Sequence, residues 1–131
     1  MTFKTLAISA AVAVTTLLAL PAHAQFAKSE EAVKYRQGSL FVIGQHFGRI
    51  GAMVNGKLPF DAKAAQENAD IVAAMAALPW TGFGPGTDKG APHKAKPNVW
   101  TEKAKFNEHA QTFQAEAAKL ASAAKTGNLE Q

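Results

Sequence analysis

From Val33 to Val54 apolar residues return at alternating steps of three and four with no proline between them, the pattern of one long helix packed in an antiparallel bundle. The seam runs through Val33, Arg36 or Gln37, Leu40, Ile43 or Gly44, Phe47, Ile50 and Val54. Two polar side chains therefore fall where apolar ones belong. Burying a guanidinium costs several kcal/mol unless hydrogen-bond acceptors and an anion meet it, so this helix is expected to face an acidic group.

The ends of that helix are also written in the chain. Ser29 is read as the N-cap, with Glu30 and Glu31 placing negative charge in the first turn. Asn55-Gly56 supplies left-handed residues to stop it, and Pro59 prevents continuation. Inside lie Gly38, Gly44, Gly48 and Gly51, each costing up to ~1 kcal/mol relative to Ala. Two compensations are open: a second helix backbone packed very close, or a flat ligand lying where side chains would collide.

Asp61 is expected to cap a second helix through Ala64, Ala65, Asn68, Ile71, Val72 and Met75, ended at Leu78-Pro79. Its alanine-rich face suits close packing on the first helix, within one subunit or between two, and Met75 reads as core filler. Between Pro79 and Pro97 periodicity is lost, and Trp80 and Phe83 should hold this long crossover against the bundle. His93 is expected in solvent. Thr101 is read as the cap of a third helix, with Trp100 packing down just before it and a seam of Phe106, His109 or Ala110, Phe113, Ala117, Leu120 and Ala124. Thr126-Gly127 should end that helix, and Asn128 looks like a fresh N-cap. The fold class expected is all-α, an antiparallel four-helix-bundle type with three helices and the start of a fourth, as in a truncated product or a partial gene.

Residues 1–24 read as a secretory signal peptide, with Lys4, an apolar run from Leu6 to Leu20 and the cleavage site Ala22-His23-Ala24. The mature domain, residues 25–131, is expected to be exported to a periplasm and to have no membrane span. Without Lys4 it carries 13 basic and 10 acidic residues. The charges are interleaved along helices, which argues against nucleic acid and leaves acidic redox partners open. There is no cysteine, which excludes disulfides, thiolate metal sites and thioether-held haem within these residues. No nucleophile with a base, no paired carboxylates and no phosphate loop point to an enzyme.

Ordered motifs then carry a resemblance. Ala32-Val33-Lys34-Tyr35-Arg36-Gln37, His46-Phe47-Gly48-Arg49-Ile50, Val54-Asn55-Gly56-Lys57, Pro59-Phe60-Asp61-Ala62, Ala77-Leu78-Pro79-Trp80, Phe83-Gly84-Pro85-Gly86-Thr87 and Val99-Trp100 follow one another as they do in the class II c-type cytochromes, the cytochromes c prime. The resemblance implies a periplasmic four-helix bundle that holds haem for electron transfer or for binding diatomic gases such as NO and CO. It implies that Arg36 and Gln37 lie beside the haem propionates, that Leu40 stands over the open face of the iron, and that Phe83 and Thr87 also belong to the cofactor site. The family's CxxCH motif and axial histidine have no counterpart here, and Asp88 to Pro97 is longer and more basic than the family's segment.

Two other readings stay open beside it. In one, haem is held without thioethers and His109, His46 or His93 supplies the iron ligand, His109 being best placed. In the other, a haem-free three-helix module completes its core with a second copy or with a partner's helix, the first two helices suiting a homodimer.

Overall fold

The computed structural model describes residues 25–131; the expected signal peptide, residues 1–24, lies outside the described residues. Three long helices carry the fold: α1 (Ser29–Val54), α2 (Ala62–Met75) and, after a short α3 (Asn98–Thr101), α4 (Lys103–Ala124). A 3₁₀ turn at Pro79–Phe83 opens the crossover between α2 and α3. The expected helical class is what the chain adopts. Among the described residues no helix is long and apolar enough to cross a membrane.

The helix ends match the sequence reading in part. α1 stops at Val54, but only Gly56 is left-handed, at φ 69°, while Asn55 keeps a negative φ. Asp61 does cap α2, its carboxylate accepting from the Ala64 N–H at 2.9 Å. Ser29 does not cap α1: it lies inside the first turn behind Lys28, and its hydroxyl donates to Gly86 O (2.6 Å) and Lys89 O (3.0 Å). Nor does Thr101 cap the last helix. It closes α3, and the chain breaks at Glu102 (φ −111°, ψ 47°) before α4 begins. At the far end Gly127 is left-handed, and Asn128 Oδ1 accepts from the Glu130 N–H as a capping residue would.

The packing corrects the seam of α1. Its covered face is Ala32, Val33, Arg36, Ser39, Ile43, Ile50 and Met53, whereas Leu40, Phe47 and Val54 are exposed, Phe47 by 56%. Three-four spacing on this glycine-bearing helix fits two adjacent stripes, and the neighbours cover only one. A Cβ built on Gly38, Gly44, Gly48 or Gly51 would meet nothing within 4 Å, so close helix packing within this chain does not explain those glycines. α2 packs on both α1 and α4 through Ala65, Ala69 and Val72, small enough for close approach. The core joins Ile43, Val72, Ala76 and Ala117, with Met75, Phe113 and Leu120 at its edge. α1 and α4 scarcely touch, because the 3₁₀ turn packs on α1 in place of α4. That separation makes the cleft.

Candidate functional site: an apolar cleft beside a buried arginine

Arg36 projects from the covered face of α1 with only 2% of its surface exposed. Its Nη1 donates to Gly82 O (2.7 Å), Thr87 O (2.8 Å) and, more weakly, Thr87 Oγ1 (3.3 Å). The guanidinium carbon lies 4.5 Å from the Phe83 ring centre and 5.3 Å from that of Trp100. Charge-assisted bonds to carbonyls and two aromatic faces thus offset much of the desolvation that sequence reasoning assigned to an acid. Burial still pushes the Arg36 pKa down, the charge of Asp88 opposing it. One nitrogen is left over: Nη2 is buried with no protein partner. A buried charged donor of this kind calls for an acceptor.

Gly82 makes this arrangement possible. A Cβ there would stand 2.8 Å from both Ala32 O and Arg36 Cβ, so only glycine lets the 3₁₀ turn lie on α1 and aim its carbonyl at the guanidinium. Thr87 is fixed in turn, its hydroxyl donating to Gly84 O (2.7 Å) and accepting from Trp100 Nε1 (3.3 Å).

Beside this hub opens a cleft of about 740 Å³. Arg36, Gln37 and Leu40 form its α1 wall, Phe83 comes from the 3₁₀ turn, and Val99 and Phe106 come from α3 and α4. The outer wall is the strap Pro92–Ala95. Behind Phe83 an aromatic cluster gives the floor rigidity, with Phe106 at 4.9 Å and Trp100 at 6.1 Å between ring centres, and Trp80 set edge-on to Phe106 and Phe113. Lys103 braces it from below, its Nζ donating to Phe83 O at 2.7 Å and lying 4.8 Å from the Phe106 ring centre; burial pushes its pKa down.

The structure gathers four of the five expected cofactor residues, Arg36, Gln37, Leu40 and Phe83, around one cleft. Thr87 stands behind Arg36 and holds it. Gln37 is not buried as the seam implied: it is exposed at the rim, its Nε2 donating to Pro92 O at 3.0 Å. His93 is half-buried in the strap, not in open solvent. Its Nδ1 accepts from the Ala95 N–H (3.2 Å), which fixes Nε2 as the protonated nitrogen donating to Asp88 O (2.8 Å). Both nitrogens are engaged. His109 is exposed beside a separate hollow with Asn98, Glu102 and Lys105, and Ala110 takes the seam position instead. His46 Nδ1 pairs with Asn68 Oδ1 at 2.8 Å, linking α1 to α2. Among the described residues, then, no histidine turns a free ring nitrogen into the cleft.

Gly82, Lys103 and the strap escaped the sequence reading. Gly82 offered only its type, Lys103 looked like any helix-surface lysine, and nothing periodic marks which strap residues turn inward.

A buried arginine on α1 thus stands beside an apolar cleft walled by Leu40 and Phe83, and comparison with known proteins decides the family. The family model described as Cytochrome C' matches residues 31–131. The chain belongs to the cytochrome c′ family. It is 50% identical over 107 residues to cytochrome c′ of Rubrivivax gelatinosus, covering 82% of this chain and 83% of that one. The solved structure of that organism's cytochrome c′ superposes with a TM-score of 0.78 at 49% identity, over 81% of this chain and 83% of the other. A ferrous variant of Alcaligenes xylosoxidans cytochrome c prime with bound NO gives a TM-score of 0.73 at 42% identity, over 81% of this chain and 82% of that one. These 131 residues contain no cysteine, so none of them can form a thioether to haem.

Proposed function

We propose that this cytochrome c′ relative is a periplasmic haem-binding protein that carries electrons or binds diatomic gases, and that the cleft between α1 and α4 is its haem site. The observation that carries the reading is Arg36 Nη2, a buried cationic donor without a protein partner beside an apolar cleft. The cleft volume falls within the roughly 300–1,000 Å³ typical of cofactor and ligand sites. Its walls are aromatic and aliphatic, and they carry no acidic side chain. A flat apolar ring with carboxylates on one edge fits both features.

Haem, when bound, supplies an iron that can change oxidation state or take a small gas as ligand. The chain's own residues do the rest. Arg36 and Gln37 would receive the acidic edge, with Thr87 and Gly82 holding the guanidinium in place. Phe83, Val99 and Phe106 would exclude water from the ring, and Leu40 would narrow the approach to one face. The NO in the Alcaligenes structure supports the gas-binding side of the proposal.

The same reading includes a homodimer through the first two helices. Its support is the uncovered stripe of Leu40, Phe47 and Val54 together with Phe41, 66% exposed, next to glycines with open space above them. Sedimentation equilibrium of the native chain and of Phe47→Glu tests it: a dimer that dissociates in the variant supports it, and a native monomer rejects it.

For haem, the 131-residue chain is mixed with ferric haem, passed through gel filtration and examined by absorption before and after reduction under NO. Co-elution at about one haem per chain, with a band that shifts on adding NO, supports the proposal. Haem that elutes apart from the protein rejects it.

A further inference from the structure

The cleft has two cationic side chains in its lining, and they are in different states. Arg36 lies at its base with Nη1 committed to carbonyls. Lys94 lies in the outer wall, exposed, with neither a hydrogen bond nor an ion pair among the described residues. The third cation nearby, Lys103, is already spent on Phe83 O.

Lys94 is not on a slack loop. The residues on either side of it are clipped together by the His93 ring, which accepts from the Ala95 N–H and donates to Asp88 O. One residue earlier, Pro92 O is held by Gln37 Nε2. Further back, Ser29 Oγ donates to Lys89 O, and Gly90, at φ +100°, lies so close to α1 that a Cβ would stand 2.8 Å from Glu30 N. The backbone leading into Lys94 is therefore held against α1, and the residue after it is clipped to His93, before any ligand arrives. A flexible ammonium on a fixed base, at the mouth of an apolar cleft with no acid in its walls, is a pre-placed anion partner.

We propose that Lys94 is a second anion-binding residue of this cleft, so that the site selects ligands carrying two carboxylates on one apolar frame, one met by Arg36 and Gln37 and the other by Lys94. This rests on the haem-site reading but goes beyond it, because it assigns a specificity-determining role to the strap.

The test uses the full chain and two metal-free probes, protoporphyrin IX and its dimethyl ester, titrated by quenching of the fluorescence of Trp80 and Trp100. The native chain should bind the diacid and bind the neutral diester more weakly. Lys94→Gln should weaken the diacid about fivefold, the upper range for a partly exposed ion pair, and leave the diester unchanged. Lys94→Arg should restore the diacid, and added salt should weaken it less in Lys94→Gln than in the native chain. Far-UV circular dichroism checks that the variants keep their helices. If Lys94→Gln binds the diacid as the native chain does, or loses both probes equally, the role assigned to Lys94 is wrong while the haem-site reading stands. If the native chain binds neither porphyrin, both fall.

Discussion

Gly82 places its carbonyl oxygen 2.7 Å from Arg36 Nη1 while its Cα lies so near α1 that a methyl group there would sit 2.8 Å from Arg36 Cβ. The same close approach thus delivers the acceptor and forbids a side chain. It also fixes how far the 3₁₀ turn stands from α1, and with it the width of the cleft whose floor is Phe83.

Gly82→Ala should therefore destabilise the protein by about 1–3 kcal/mol, because the obstructing atoms belong to backbone and a Cβ and cannot swing aside. Gly48→Ala is the control: its Cβ meets nothing, so the change should stabilise the monomer by about 0.5–1 kcal/mol through helix propensity. Urea unfolding of the two variants should move the midpoint in opposite directions.

Replacing Arg36 by Met removes the donor shared by Gly82 O, Thr87 O and Thr87 Oγ1 but keeps an apolar stem. Stranded buried acceptors should cost about 2 kcal/mol. Amide exchange should speed up across residues 82–87 and less in the Ala-lined contact of α2 with α4.

On the surface, Glu30 is paired with Lys34, and the hydrogen bond first and the charge second hold its carboxyl below the usual glutamate range. A depressed folded-state pKa means that the pair's small contribution is present above the unfolded value and is lost as pH falls through the folded one. Lys34→Gln should move the Glu30 titration upward, read from the side-chain carboxyl carbon by NMR, and should leave unfolding at neutral pH nearly unchanged.

The helices were legible because their signals are local: an unbroken three-four pattern to Val54, an aspartate before Ala62, a left-handed glycine at 56 and another at 127. Ser29 misled because its hydroxyl is taken by carbonyls 57 and 60 residues away. Arg36 shows the boundary most clearly. Its position announced burial and a need for acceptors, yet the two closest acceptors supplied by the chain are the backbone oxygens of Gly82 and Thr87, which every residue possesses and no residue type identifies, with the Thr87 hydroxyl a weaker third. Leu40, Phe47 and Val54 show the complementary failure, since a pattern reveals a stripe but not whether a neighbour covers it. The strap was opaque for a third reason. Its geometry comes from His93 acting on its own backbone and from Gln37 across the rim, neither of which leaves a periodic mark.

The central claim is that the cleft beside Arg36 is where haem binds. The most direct measurement is a ferric haem titration, followed by absorption, of the native chain beside Leu40→Trp, which fills the cleft from an exposed position on α1 and should leave the helices intact by circular dichroism. Saturable binding near one haem per native chain, weakened at least tenfold in Leu40→Trp, is the result expected. Equal binding by both proteins would place haem elsewhere and contradict the account.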